Sequence, residues 1–407
     1  MNDINPKLFT FLLLGILILS GAWLAYSKQT THPNSDPKYK GISDGSLEDF
    51  YNLSQQQAKD LQELNTEVTF NAVGDIMLSR NVAGQMSKNQ KDPYWPYRHL
   101  EQELGWDSDF NFGNLESPFS GEDDFNPSGS LVFNAPTWAF PGLAQYNFKV
   151  LNLANNHGMD QGYDGLIYTR DLLTKNQLTP IGVGENLDKA WRGGVFSIKG
   201  VRVGFIGASY ASVNDGGVAT NNYVARIEQK ERLKNSINEL KTRSDFIVVT
   251  MHAGTEYERN PNQDQIDFAR AAIDDGADMV IGAHPHWIQT IEEYKGHYIF
   301  YSLGNFVFDQ MWSQETREGL MLKIALQKPG ICHPGLLPNS PTPLSRTDQI
   351  NLVCTTELQG TPKPATLKQV ELIPVIIENY GQPRLANETE KQSILKKIGA
   401  TTNVITP

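Results

Sequence analysis

Short apolar runs recur along the chain, and each finishes in small or polar residues. They lie at 67–75 (EVTFNAVGD), 148–157 (FKVLNLANNH), 201–209 (VRVGFIGAS), 245–252 (DFIVVTMH), 278–284 (DMVIGAH) and 297–305 (HYIFYSLGN). Continuous, often β-branched runs of this kind predict strands buried on both faces. Helical patterns fill several of the gaps, at 163–175, 224–242 and 262–275, the last with Ile266, Ala269 and Ile273 at helical spacing. Strand alternating with helix predicts an α/β fold. In such sheets function collects at the carboxyl ends of the strands, and nearly every run here ends in a residue able to bind a ligand. Further strands are expected at 319–327 and 367–379, with a Pro-rich stretch at 329–347 between them and a closing helix at 387–397.

One run differs from the rest. Residues 8–26 carry no charge, are rich in Leu and Ile, and lie between Lys7 and Lys28. At ~1.5 Å rise per residue such a segment spans a bilayer core of ~30 Å. The pattern predicts a single-pass transmembrane helix, with residues 1–7 cytoplasmic and the main domain outside the cytoplasm. Ala25-Tyr26-Ser27 offers a small-x-small cleavage site, so a cleaved signal peptide and a secreted chain is the alternative. Residues 27–66 are polar and read as a linker or stalk, with a short polar helix at 46–65. Residues 67–310 form the main domain, and 311–407 a C-terminal extension that completes the sheet and ends in a helix.

Composition narrows the function. The 407 residues hold 35 Lys+Arg against 46 Asp+Glu, a net charge of −11. That excess repels phosphate backbones and excludes general nucleic-acid binding. A 39% hydrophobic fraction with 20% charged residues excludes wholesale disorder and a multi-span membrane protein. Two cysteines cannot build an all-thiolate zinc site. Outside the cytoplasm, Cys332 and Cys354 either pair and staple a surface loop or stay free.

The chemistry lies in six polar clusters, most of them at strand ends: GDIMLSR (74–80), FGNLESP (112–118), LANNHGMD (153–160), MHAGTEY (251–257), GAHPHWIQ (282–289) and SLGNFVFDQ (302–310). Four of the eight histidines fall there, His157, His252, His284 and His286, accompanied by Asp75, Glu116 and Asn156. Imidazole, carboxylate and amide oxygen together suit Zn, Mn or Fe rather than Ca. His284-Pro285-His286 lets two imidazoles diverge toward neighbouring positions, with Glu116 able to bridge them. Two adjacent ions would activate water and polarise a substrate oxygen.

The order Gly-Asp, Asn-x-Glu, Asn-Asn-His, His-x-Gly-x-Glu-Tyr, Gly-x-His-Pro-His and Ser-Leu-Gly-Asn-Phe-Val-Phe resembles the CapA family of bacterial capsule and poly-γ-glutamate synthesis proteins. The resemblance covers about 68–310 and implies a metallophosphoesterase-like α/β/β/α sandwich behind an N-terminal anchor. It implies one or two divalent transition-metal ions held by Asp75, Glu116, Asn156, His252, His284 and His286. His157 is then the general acid. The expected partner is an anionic envelope polymer or its synthase and export complex, and the expected reaction is metal-dependent hydrolysis or transfer. A phosphoesterase acting on a small extracytoplasmic ester and a non-catalytic polymer-binding or assembly factor are the alternatives. The chain departs from the phosphoesterase pattern at Met77, where a histidine is usual, and at Glu116, where an aspartate is usual.

Arg80, Glu256, Tyr257 and Asn305 are candidate substrate contacts near that site. Phe306 and Phe308 read as core, and Tyr94, Trp95 and Tyr97 as cover for a core edge. His32, His99, His297 and His333 have no assigned role.

Overall fold

The computed structural model describes residues 65–329 and 364–407, and the backbone of 331–334 and 352–355. The expected anchor at 8–26, the linker and the helix expected at 46–65 lie outside the described residues, apart from residue 65 itself. Among the described residues no helix is long and apolar enough to cross a membrane.

The apolar runs do form strands. Strands β1 (Asn65–Ile76), β2 (Phe110–Leu115), β3 (Phe148–Asn152) and β4 (Thr179–Ile181) are parallel neighbours in that order. β5 (Gly194–Ile198), β6 (Val201–Ser209), β7 (Phe246–His252), β8 (Met279–Ala283), β9 (Ile291–Tyr294) and β10 (His297–Phe300) make a second sheet, ordered β5-β6-β7-β8-β10-β9. The chain then returns to the first sheet with β11 (Asn305–Val307) beside β1. β12 (Glu318–Pro329) runs antiparallel to β1. A hairpin of β13 (Ile331–Pro334) and β14 (Leu352–Thr355) follows. It sets Cys332 opposite Cys354 in register, and the two side chains lie outside the described residues. β15 (Thr366–Glu378) and β16 (Gln382–Leu385) extend the first sheet past β12, and β17 (Val404–Ile405) pairs with β15. Among the described residues the first sheet thus has nine strands, and both sheets are mixed.

Six helices matter here: α1 (Arg80–Lys88), α2 (Phe140–Gln145), α3 (Gly162–Lys175), α4 (Lys230–Lys241), α5 (Gln263–Asp274) and α6 (Glu388–Lys397). The helices at 163–175, 262–275 and 387–397 therefore form within a residue of expectation. Asn262 with Gln265, and Asn387 with Glu390, close reciprocal capping boxes that fix where α5 and α6 begin.

Three apolar cores define the layers. Phe70, Phe110, Phe112 and Val150 of the first sheet meet Val203, Phe205, Val248 and Ile281 of the second. Phe112 stacks on Phe205 across that interface, 5.4 Å between centroids. Outside the first sheet, Val82 and Met86 of α1, Leu143 of α2 and Leu166 and Leu173 of α3 cover Val73, Phe148 and Leu151. Outside the second, Leu233 and Ile237 of α4 and Phe268 and Ala272 of α5 cover Ile206, Val249 and Val280. The order is helix, sheet, sheet, helix. A buried charge cluster also joins the sheets: Asp245 holds Arg202 of β6 at 2.8 Å and Lys328 of β12 at 2.8 Å.

Four expectations need correction. The strand at 148–157 ends at Asn152, whose side chain donates to the Ala154 carbonyl at 2.9 Å and accepts from the Ala154 N–H at 3.2 Å. The helix at 224–242 starts only at Lys230, because Arg226 is drawn into the interior by Asp215 and pairs as extended chain with Ser209. The run 297–305 is two strands in two sheets, divided at Gly304, which has φ 68°. The last helix is also followed by β17, so the extension does not end in a helix.

Candidate metal centre

The carboxyl ends of parallel strands from both sheets converge on one buried cluster. β1 delivers Asp75, the residue after β2 is Glu116, and the turn after β3 carries Asn156 and His157. β7 ends in His252, and the turn after β8 carries His284 and His286. Asp75, Glu116 and His252 have no measurable exposure, and Asn156, His157, His284 and His286 are buried.

Close backbone contacts hold these strand ends. A Cβ on Gly74 would lie 1.9 Å from the Gly304 carbonyl oxygen, and one on Gly282 2.0 Å from that of Tyr301. Only glycine admits those approaches. His284 (φ 103°) and His286 (φ 58°) sit in left-handed backbone that side-chain-bearing residues rarely adopt. The Tyr257 N–H donates to the Pro285 carbonyl between them at 2.9 Å. Strain of this kind concentrates where a site must be preset.

The ligand atoms fall into two groups that meet at Glu116. Carboxylate oxygens of Asp75 and Glu116 and a ring nitrogen of His286 lie within 4.8 Å of one another. In the second group, Asn156 Oδ1 is 2.7 Å from His252 Nε2, and His284 Nδ1 is 3.1 Å from the same nitrogen. Glu116 Oε1 lies 3.9 Å from His252 Nε2 and 3.8 Å from His157 Nε2.

Glu116 decides what the cluster is for. Both carboxylate oxygens are buried without a hydrogen-bond partner. An unpaired buried polar group costs about 1–3 kcal/mol, and a charged one more. Burial, with Asp75 and Glu256 adding repulsion, pushes its carboxyl well above the usual range. A divalent cation is the natural counter-charge, and the flanking donor set of carboxylate, imidazole and amide oxygen fits a transition ion. Burial and the neighbouring imidazoles hold His252 well below its ordinary value, and burial takes His284 down to about 3. Both rings are therefore neutral at physiological pH, the state that ligates.

Met77 does not supply the missing imidazole. Its sulfur accepts the Ser79 N–H at 3.1 Å, and its side chain lies in the core beside α1. The Asp75 and His286 group is accordingly the poorer in ligands. Asn305 lies beside His286. It is buried, with Oδ1 2.9 Å from His286 Nδ1 and Nδ2 donating to the Thr316 carbonyl at 2.9 Å, so it orients His286.

Arg80, five residues after Asp75, takes left-handed backbone, φ 47°. It pairs with Asp309, donates to the Ser130 carbonyl at 3.0 Å, and lies over the Phe133 ring at 4.7 Å. Its Nε–H is buried without a partner. Tyr257 lies 6.0 Å from the His286 ring, and Trp312, 61% exposed, meets Tyr257 edge-on at 4.9 Å. Glu256 is exposed beside them. Phe306 and Phe308 are both core as expected, and Phe308 also packs on His286 at 4.8 Å. Trp95 and Tyr97 are core as well, with Tyr94 partly exposed.

Sequence reasoning passed over Asn114, Asp160 and Asp309. Asn114 Nδ2 donates to Asp75 Oδ1 at 2.8 Å and lies 3.1 Å from His252 Nδ1, while its Oδ1 accepts from Asn152 at 2.9 Å, so it ties the two ligand groups together. Its signals are the Asn-x-Glu spacing to Glu116 and an amide inside a fully buried strand, Phe110–Leu115.

Residues 69–310 match the family model described as bacterial capsule synthesis protein PGA_cap. The chain belongs to that family. It is 32% identical over 310 residues to the capsule biosynthesis protein CapA of Bacillus anthracis, covering 74% of this chain and 70% of the relative. It is 34% identical over 262 residues to the PGA biosynthesis protein CapA of Bacillus subtilis, covering 63% and 67%. Among solved structures, the calcineurin-like phosphoesterase YfkN of Bacillus subtilis is similar at a TM-score of 0.40 and 11% identity, covering 82% of this chain and 96% of that one. All seven expected ligand and acid residues fall inside the family match.

Proposed function

We propose that this family member is anchored in the cell membrane, with its main domain outside the cytoplasm. There it carries out metal-dependent hydrolysis or transfer during synthesis, export or processing of an anionic envelope polymer such as poly-γ-glutamate. The observation that carries the reading is Glu116, a buried carboxylate with two unpaired oxygens between two groups of ligand atoms.

Asp75, Glu116 and His286 would hold one divalent ion, and Glu116, Asn156, His252 and His284 would hold a second or the only one. Such an ion activates water and polarises a substrate oxygen. The chain's own residues do the rest. His157, its Nδ1 paired with Asp160, presents Nε2 beside Glu116; Nε2 takes up a proton to form the imidazolium and passes that proton to the leaving group. Arg80, over the Phe133 ring that lies against His157, is the side chain that would meet the substrate oxyanion. Burial pushes the phenols of Tyr210 and Tyr257 up to about 12, so both stay protonated and line the site as neutral donors.

The test is incubation of the metal-loaded full chain with poly-γ-glutamate and with a panel of phosphoesters, followed by product sizing. Shortened or transferred polymer, lost in His157→Ala, is the expected result. Turnover of small esters with polymer untouched would replace this reading by the phosphoesterase. Met77 favours one further reading, a polymer-binding factor without turnover, and bound polymer with no products would establish it.

A further inference from the structure

Trp106, in the turn that leads into β2, is 80% exposed. Its backbone is nevertheless pinned. The Trp106 and Asp107 N–H groups both donate to the Gln102 carbonyl, at 2.9 and 3.0 Å. Asn71 of β1 donates to the Glu103 carbonyl at 2.8 Å and to Ser108 Oγ at 3.0 Å, and Asn111 of β2 donates to the Leu104 carbonyl at 2.7 Å. Both asparagines are buried, so the segment on each side of the indole is stitched to the first sheet. A rigid turn that holds an indole out in water forgoes the apolar burial that side chain would otherwise gain. Packing within the chain does not account for it.

Trp106 stands between two depressions and lines both. One, of about 720 Å³, is lined also by Tyr94, Arg98, Gln145 and Tyr146. The other, of about 470 Å³, is lined also by Gln102 and Asp107, and Glu101 is common to the two. Asp107 lines a third depression as well, of about 280 Å³, together with Lys323, Glu371 and Lys391. The first and third share no residue, so the three follow one another as a groove. Phe70 and Ala72 face the second sheet, and alternation places Asn71, which lines the third depression, on the outer side of the first. Asn71 precedes Asp75 by four residues on β1, roughly 13 Å at the rise of a strand. The groove is therefore separate from the metal centre.

We propose that this groove binds an uncharged linear glycan. Glu101, Glu103, Asp107 and Glu371 outnumber Arg98, Lys323 and Lys391 along it. Arg98 is already paired with Asp92 at 2.5 Å, so a polyanion is repelled. A sugar ring presents a face of C–H bonds, which packs on the electron-rich face of an indole, and a rim of hydroxyls that both donate and accept. The carboxylates accept from those hydroxyls, and the lysine ammonium groups and the Gln145 amide donate to them. Depressions on both sides of Trp106 give successive sugars of one chain a place each. The ligand is thus not the anionic polymer of the proposed reaction, and the groove is a second point of attachment with its own chemistry.

The experiment is isothermal titration of the full chain, held in a detergent without a sugar head group, with cellohexaose, chitohexaose and maltohexaose, in chelator and again in manganese. At least one hexasaccharide is expected to bind with the same affinity in both buffers, and more tightly than its matching disaccharide. Trp106→Ala is expected to weaken that binding about 10-fold or more. Trp106→Phe, which keeps an aromatic face, is expected to lose less. Lys323→Ala, in the third depression, is expected to weaken the hexasaccharide roughly 2- to 10-fold.

No saturable binding of any of the three hexasaccharides overturns the proposal, and so does a Trp106→Ala chain that binds them as the wild type does. Poly-γ-glutamate that binds in chelator and is lost in Trp106→Ala also overturns it, and gives the groove to the anionic polymer. Because binding is read in chelator and without turnover, the result stands whether or not the metal centre acts on a polymer.

Discussion

Replacing Glu116 with Met should make the metal-free chain more stable and the metal-loaded chain less so. The substitution keeps the side chain's length and removes two buried oxygens that have no partner. One unsatisfied buried polar group costs about 1–3 kcal/mol, and charge raises that figure. The variant should therefore gain at least about 1 kcal/mol in chelator. The sign with pH is also fixed. Glu116 has a raised pKa in the folded state, so the unfolded chain loses its proton first. Stability then falls as pH rises from the unfolded value, near 4.5, toward the folded one. Glu116→Met removes that residue's share of the slope. With an ion present at 100 times its dissociation constant, the wild type gains about 2.7 kcal/mol, which a variant lacking the shared ligand forgoes. Urea unfolding of both proteins, in chelator and in manganese, at pH 5 and pH 8, measures all of this. A variant less stable than wild type in chelator, or stabilised equally by the ion, would refute the reasoning.

Three further outcomes follow from other parts of the molecule. Asn305→Ala frees the His286 ring and should weaken metal binding about 10- to 100-fold, read by competition with a chromophoric chelator; unchanged affinity would return Asn305 to a purely structural role. Asp245→Asn removes the counter-charge of buried Lys328 and should cost about 3–5 kcal/mol in urea unfolding, a loss under 1 kcal/mol being incompatible with that role. Burial raises Asp278 from 3.8 to about 6, so the folded state holds its proton longer. The wild type should then lose roughly 3 kcal/mol through this group between pH 3 and pH 7, a contribution absent in Asp278→Asn.

Much of the site was legible because the fold puts it where pattern is clearest. Asp75, Asn156, His252, His284 and His286 each follow an apolar run, and a polar residue ending a buried strand stands out. Glu116 was found through its cluster, although its strand, Phe110–Leu115, was not singled out. What stayed hidden depends on partners far along the chain. Asn114 looks like a lone amide until the fold sets it between Asp75 and His252. Arg80 was seen, but not Asp309, its partner 229 residues away. Asn305 was expected near the site, but nothing local shows that it holds His286. The fold erred for a related reason. The run 297–305 has one texture throughout, and only the pairing of Asp75 with Asn305 shows that its end belongs to the other sheet.

The most direct test of the account is the metal content of the purified full chain by elemental analysis, beside Glu116→Met prepared in the same way. The account predicts at least one manganese, zinc or iron ion per wild-type chain, surviving gel filtration, and its loss in the variant. A wild-type chain that carries no transition metal, and takes none up when all three are supplied, would contradict it.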